Sequence, residues 1–238
     1  MATGCLPNRE IVTMTRTSAR WQSKPGNFDS LHASQLFTTG NGYGIPDLLP
    51  AAIAPPPAWL APYRQRIRAE VSLSEGCPHF FLDDYRFETV WTRPYKALSA
   101  LRPYTTLLSP DFSLYREWPL TLQLWNVYRN RWCGRFWQSQ GFRVIPTVSW
   151  STAASYDFCF LGVPRRGVVA VSAVGVRQQD PVARQLFVDG FREMVARLEP
   201  VLVLSYGRLP ATCSELVETI CYPTRWAGIR RAEGRRQK

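Results

Sequence analysis

The amino-acid sequence predicts an α/β fold, with a mostly parallel sheet and flanking helices, either open or curled into a partial barrel. Short apolar strand candidates alternate with helical segments along the chain. Each strand candidate is followed by small, polar or aromatic residues, as at Ser109-Pro110-Asp111. The stretch from Thr105 to Trp150 has the pattern of a strand, a long helix and a second strand, which makes the two strands parallel. The chain contains too few such units for a complete eight-stranded barrel.

The central unit is predicted in the most detail. Residues 105–108 form a short apolar strand, and an apolar stripe predicts a helix from about Glu117 to Gln140. Pro119 suits an early helical position, and Gly141 suits the left-handed position after the last turn. The second strand is predicted over residues 143–150.

The other elements are predicted from shorter patterns. The first strand of the sheet is placed at His79 to Leu82, and further strands are placed later in the chain. A helix begins after Asp180 with Pro181 in its first turn, and a capping box at Thr212 and Glu215 opens a last short helix. The remaining predicted segments are a helix at 94–101 and strands at 156–163, 167–175 and 201–204.

Composition divides the chain into three parts. Residues 1–62 have little periodicity and are rich in glycine and proline, which predicts a mobile arm that ends in a stiff connector around Pro55-Pro56-Pro57. Residues 63–221 form a single α/β domain. Residues 222–238 form a basic tail with six Lys/Arg and one acidic residue.

Charge and composition also bear on partners and compartment. The chain carries a formal charge of +11, and its basic tail predicts affinity for nucleic acid or other polyanions, or else a solubilising terminus. The six cysteines are scattered without a CxxC pair, which is typical of reduced thiols in a cytoplasmic protein. No apolar stretch is long enough for a membrane helix, and the first ten residues lack the apolar core of a secretory signal. We therefore expect a cytoplasmic protein with no membrane partner.

Three carboxylates are the strongest candidates for chemistry. Asp83, Asp84 and Asp111 follow two strand candidates, so they should lie at the carboxyl-terminal edge of the sheet. Asp84 and Asp111 can serve as a general acid and base, or as oxygen ligands for Mg²⁺ or Mn²⁺. Side chains of adjacent strand residues point in opposite directions, so only one of Asp83 and Asp84 can easily join Asp111. The alternative is that these carboxylates cap loops or pair with nearby arginines.

A ligand pocket is predicted at the same edge. Its candidate residues are Asp83, Ser109, Trp150, Ser172 and Tyr206, which all follow or end strand candidates. Nucleophilic catalysis is disfavoured, because His79 is expected at the amino end of its strand, away from these residues.

Nucleic-acid binding is predicted from two groups of arginines. Arg129, Arg131 and Arg135 alternate with aromatic residues on the long helix, as in stacking surfaces for single strands. A helix that packs its aromatic residues on the sheet and exposes its arginines gives the same pattern. Arg230 and Arg231 in the tail are candidates for phosphate contacts.

Several segments of the chain resemble the DUF4417 family, which is found in bacteria, phages and mobile elements and has no established activity. The resemblance covers roughly residues 42–210 and implies a phage, plasmid or actinobacterial mobile-element setting, without implying catalytic residues or a cofactor. The segments that carry it are Phe81-Leu82-Asp83-Asp84, Leu108-Ser109-Pro110-Asp111-Phe112-Ser113, Gln123-Leu124-Trp125-Asn126, Val144-Ile145-Pro146-Thr147-Val148-Ser149-Trp150 and Ser205-Tyr206-Gly207.

Three functions follow from these observations. The first is a mobile-element protein that acts near nucleic acid through its basic residues. The second is an enzyme that uses Asp84 and Asp111, with or without a divalent metal. The third is a partner-binding protein without catalysis. The sequence does not distinguish whether the chain is an enzyme and does not indicate an oligomeric state.

Overall fold

A computed structural model describes residues 29–50, 55–65, 72–174 and 180–224. In chain order the strands of this part are β1 (Trp59–Pro62), β2 (Gly76–His79), β3 (Thr106–Leu108), β4 (Arg143–Ile145), β5 (Val168–Ser172), β6 (Leu202–Tyr206) and β7 (Thr219–Tyr222). The α-helices are α1 (Thr89–Thr92), α2 (Pro94–Leu101), α3 (Leu120–Ser139), α4 (Pro181–Leu198) and α5 (Ala211–Ser214). Single turns of 3₁₀ helix lie at Leu73–Glu75, Asp84–Arg86 and Ala153–Asp157.

The strands run in the same direction. β1 pairs with β2, β3 with β4, and β5 with β6 and then β7, in each case parallel. A parallel bridge between Thr147 and Ala170 joins the β4 side to β5. The Thr105 hydroxyl, just before β3, donates to the Ser74 carbonyl, just before β2. The carboxyl ends of the strands therefore lie at one edge.

The sheets curve but do not close into a barrel. The Tyr222 hydroxyl, on β7, donates to the Pro57 carbonyl just before β1, at 2.5 Å. The backbone ladders of the described strands remain in three separate sheets. The predicted mostly parallel α/β fold is confirmed.

Side chains alternate between two apolar environments along each strand. On β3 and β4, Leu107 and Val144 pack under the helices, whereas Leu108 and Ile145 pack on the inner, concave side. On β6, Val203 and Leu204 divide in the same way. Because both faces are buried, these strands appear in the sequence as continuous apolar runs and lack a polar alternation.

The long predicted helix is confirmed as α3. Pro119 is its N-cap residue, and Gly141 follows its end with a φ of +88°. Gly141 has the left-handed conformation that glycine adopts without a Cβ clash. None of the helices in the described segments has the length and apolar composition needed to cross a membrane.

Several short elements differ from the sequence predictions. β1 lies inside the range assigned to the arm, and β2 ends at His79, where the sequence pattern placed the start of a strand. The last helix, predicted to begin at the capping box of Thr212 and Glu215, is found only as the four residues of α5, and β7 follows where the end of that helix was expected. Residues 153–162 form a 3₁₀ helix and turns, so the predicted strand at 156–163 is wrong. Strands of four residues are stabilised mainly by their neighbours, which a local pattern does not show.

The described part of the arm packs onto α3. Ile45 and Leu48 are buried, and the ring of His32 stacks on Trp132 with 4.3 Å between centroids. The Leu49 amide donates to the Gln138 side chain, which donates back to the Leu49 carbonyl. Residues 1–28 of the predicted mobile arm, which spans residues 1–62, lie outside the described residues. So does most of the basic tail.

Candidate active site at the carboxyl edge of the sheet

Asp84 links the loops that follow β2 and β3. Its carboxylate accepts hydrogen bonds from the Ser113 amide at 3.2 Å and from the Ser113 hydroxyl at 2.8 Å. Asp83 is exposed and starts the short 3₁₀ helix without a capping bond from its side chain. Asp84 is therefore the one of the two carboxylates that faces the loop carrying Asp111.

Asp111 has the more unusual environment. The residue is partly exposed, but its carboxyl group is enclosed. Burial, together with the negative charge of Asp84, raises the pKa of Asp111 to about 7. The nearby Ser149 side chain and the Arg131 charge both lower the pKa of Asp111 in part. Asp84 therefore lies near enough to Asp111 for its charge to act on that carboxyl group.

Arg129 is part of the support behind this pair. The Asn126 amide donates to the Ser113 carbonyl at 2.7 Å, and Arg129 donates to the Asn126 side chain at 2.7 Å. The guanidinium also pairs with Glu88 at 2.7 Å and lies 3.9 Å from the Phe112 ring centroid. Arg129 is only 9% exposed, so the expectation that it faces solvent and contacts phosphates is corrected. Its charge holds together the loop after β2 and the loop after β3.

Arg131 is also inside the protein. It is 1% exposed and donates to the carbonyls of Thr147, Cys159 and Leu161 at 2.8–3.0 Å. Burial lowers the pKa of Arg131 to about 10. The expectation that Arg131 contacts nucleic-acid phosphates is likewise corrected, because a buried guanidinium with these partners cannot reach a phosphate at the surface. Arg135 is partly exposed, 5.4 Å from the Phe37 ring, and Arg230 and Arg231 lie outside the described residues.

Ser109 is a further correction. It is fully buried, its hydroxyl donates to the Asn130 side chain at 2.8 Å, and it accepts from the Thr147 amide at 2.8 Å. The Thr147 hydroxyl donates to the Ser109 carbonyl at 2.7 Å. With its hydrogen-bonding capacity used in this network, Ser109 joins β3 to the segment after β4 and does not line a pocket.

Trp150 and Ser172 share a cleft of ≈ 400 Å³ next to the loop after Asp111. The Trp150 indole donates to the Leu186 carbonyl at 3.2 Å and packs against Phe187. Gly190 allows this position, because a Cβ there would lie 2.1 Å from the indole nitrogen. Residues 114–117, Ser151, Asp180, Ala183, Leu186 and Phe187 complete the lining.

His79 lies at the opposite end of its strand from the one expected. It is the last residue of β2, fully buried, with its ring 4.3 Å from the Tyr206 ring and 5.4 Å from the Phe81 ring. Burial lowers the pKa of His79 to about 3, so the ring is neutral. Its Nδ1 accepts from the Phe81 amide at 3.2 Å. Tyr206, predicted in the pocket, is 5% exposed and belongs to this aromatic packing.

The metal prediction stays open. Within the described residues, no three His, Cys, Asp or Glu side chains are arranged to hold an ion. Two carboxylates are enough for Mg²⁺ when waters and substrate phosphates complete the shell. A metal at this position would have to displace the proton that the raised pKa keeps on Asp111.

Ser113 and the loop that follows it were missed by sequence reasoning. This loop joins β3 to α3. Its exposed aromatic and charged residues, directly after a carboxylate at the carboxyl end of a strand, are the signal that could have indicated a site.

The family model described as "Domain of unknown function (DUF4417)" matches residues 37–223. The chain belongs to the DUF4417 family. The match includes Asp84, Asp111 and the cleft, and it extends beyond the range in which the resemblance was recognised.

Two relatives are proteins of mycobacterial phages. The chain is 44% identical to the Gene 1 protein of Mycobacterium phage L5 over 227 residues, which cover 93% of this chain and 97% of the relative. It is 45% identical to the Gene 1 protein of Mycobacterium phage D29 over 216 residues, which cover 89% of this chain and 78% of the relative. The expected phage setting agrees with both. No solved structure matches the chain.

Proposed function

We propose that this DUF4417 protein is a phage enzyme that performs general acid–base catalysis at the carboxyl edge of its sheet, in the cytoplasm of the host. The observation that carries the proposal is the convergence of Asp84 and Asp111 from two different strand ends, with Asp111 three residues before Leu114, which lines the cleft. Asp111 acts as the proton donor or acceptor, and Asp84 supplies the neighbouring negative charge.

The electrostatics favour this assignment. A group whose pKa lies near the working pH is the most effective general acid or base, and burial beside a second carboxylate gives Asp111 such a pKa. Asp84 is held in place by Ser113, and the Ser149 hydroxyl orients Asp111. Fixed carboxylates on short loops are positioned for proton transfer to a bound substrate.

An activity screen tests the proposal. The full chain is incubated with labelled DNA and RNA single strands and with nucleoside triphosphates, with Mg²⁺, with Mn²⁺ or with EDTA. We expect Asp111→Asn to lower kcat/KM by about 10²–10⁴-fold on any substrate that the wild type converts, because the amide cannot transfer the proton. Asp83→Asn is the matched control and should keep full activity. A wild type that converts nothing, or an active Asp111→Asn, would contradict the proposal.

The pH dependence of stability gives a second, substrate-free prediction. A raised pKa means that the folded state binds the Asp111 proton more tightly than the unfolded state does. Its contribution to the free energy of unfolding is therefore full below about pH 4 and lost as pH rises to about 7. From pH 4.5 to pH 8, we expect the free energy of unfolding of Asp111→Asn to rise by about 1–3 kcal/mol relative to that of the wild type. This range allows for solvent screening, because the residue is partly exposed.

Urea unfolding at several pH values measures this gain. Each variant is compared with the wild type, because His79, with its lowered pKa, contributes a slope of opposite sign below about pH 6.5 in both. A constant difference between Asp111→Asn and the wild type across this range would argue against a raised pKa.

A second candidate function is binding of nucleic acid by overall charge. The formal charge of +11 favours it, with Arg135 partly exposed on α3 and Arg230 and Arg231 in the tail. Binding of this kind weakens steeply with salt and shows little sequence preference. It requires no catalysis, so it is compatible with the first candidate.

A further inference from the structure

Three exposed arginines follow strands at the carboxyl edge of the sheet. Arg64 lies two residues after β1, Arg86 ends the 3₁₀ helix after β2, and Arg208 lies two residues after β6. All three are exposed. Because the strands are parallel, these positions share the edge that carries Asp84 and Asp111.

These arginines are not used in ion pairs within the described segments. The opposite edge differs, because Arg165 and Arg166, just before β5, both pair with Glu199. Glu199 thus offsets the charge of two cations at the amino edge, and Arg116 at the carboxyl edge is paired with Glu117 and Asp180. The guanidiniums of Arg64, Arg86 and Arg208 remain available at the carboxyl edge. Their charge suits a ligand that carries several phosphates.

Aromatic rings are exposed between these arginines and the cleft. Tyr85, next to Asp84, is 81% exposed, and Tyr115, which lines the cleft, is 53% exposed. Tyr115 makes an edge contact with Trp118, with 4.9 Å between centroids, and this leaves both rings partly free. Exposed aromatic rings beside arginines suit unpaired bases, since every base can stack on them.

From this arrangement we propose that the carboxyl edge binds a single-stranded nucleic acid. Arg64, Arg86 and Arg208 contact its phosphates, and Tyr85 and Tyr115 stack its bases, so that the strand passes over Asp84 and Asp111. The inference names the substrate class of the proposed acid–base site and rests on that proposal for catalysis. The binding itself does not depend on catalysis.

Fluorescence anisotropy with labelled 20-nucleotide single strands, at several salt concentrations, tests the phosphate contacts. The triple variant Arg64→Gln/Arg86→Gln/Arg208→Gln should bind about tenfold more weakly at low salt, with a salt slope that is smaller by about 2. The control is Arg102→Gln/Arg165→Gln/Arg166→Gln at the amino edge, which also removes three positive charges. We expect the control to change binding less than threefold. Equal losses of single-strand affinity in the two triple variants would overturn the proposal, because they would indicate that the net charge alone attracts the nucleic acid.

A second comparison tests stacking. Tyr85→Ala/Tyr115→Ala should weaken single-strand binding about tenfold and leave binding of a duplex of the same length unchanged. Tyr43→Ala/Tyr95→Ala removes two tyrosines that are exposed elsewhere and should have little effect. A wild type that prefers the duplex, or Tyr85→Ala/Tyr115→Ala variants that bind single strands normally, would overturn the proposal.

The carboxylates separate this inference from the proposed function. Asp111→Asn and Asp84→Asn should bind the single strand at least as tightly as the wild type. Asp84→Asn removes a negative charge from the path of the phosphates, and Asp111→Asn removes the negative charge that Asp111 carries above its pKa of about 7. Normal binding with no conversion of any substrate would contradict the enzyme and leave the interface intact. Conversion of another substrate without single-strand binding would contradict the interface alone.

Discussion

Arg131→Met is expected to lower the free energy of unfolding by about 3–5 kcal/mol. The guanidinium supplies the hydrogen bonds that the Cys159 and Leu161 carbonyls receive from α3. Methionine fills much of the space but donates nothing, so these acceptors lose their partner in a dry environment. The Thr147 carbonyl keeps a bond from the Asn130 side chain, which limits the loss there.

Urea unfolding of Arg131→Met measures the effect, and Arg135→Met is the matched control. Arg135 lies one turn further along the same helix, partly exposed against the Phe37 ring. Its replacement should cost less than about 1 kcal/mol. Similar losses in the two variants would mean that the buried hydrogen bonds of Arg131 contribute no more than a surface arginine does.

Gly190→Ala is expected to lower the free energy of unfolding by about 2–4 kcal/mol, because it places a methyl group where the Trp150 indole lies. The added Cβ would be 2.1 Å from the indole nitrogen, so α4 and Trp150 must move apart. This movement breaks the bond to the Leu186 carbonyl and disturbs the packing against Phe187 and Phe191.

Two further variants isolate this cause. Gly167→Ala, where the nearest atom is 3.7 Å from the added Cβ, should cost less than about 1 kcal/mol. In the double variant Gly190→Ala/Trp150→Leu the smaller side chain removes the clash. We therefore expect the double variant to lose less free energy of unfolding than the two single variants lose together, by more than about 1 kcal/mol. Strict additivity would show that the contact with Trp150 is not the cause.

Arg129 and Arg131 are buried, against expectation, for a reason that lies in the surroundings of α3. A surface helix has one apolar face and one solvated face, and the pattern of arginines and aromatic residues fits that rule. In this chain the sheet covers one side of α3, while residues 29–50 and the turns after Ala153–Asp157 cover others. Arg131 is thus enclosed by segments that are distant in sequence.

The amino-acid sequence alone predicts the parallel α/β class, the long helix before Gly141 and the placement of Asp84 and Asp111 at one edge of the sheet. These features follow from local patterns and from the direction that a helical crossover imposes on two strands. The tertiary structure decided which carboxylate faces the site, because the Ser113 hydrogen bonds that hold Asp84 join separate loops. It also decided the short strands β1 and β7, whose stability comes from paired neighbours, and the burial of Ser109, Arg129 and Arg131. Such contacts depend on which distant segments come together, and the order of residues along one segment does not specify that.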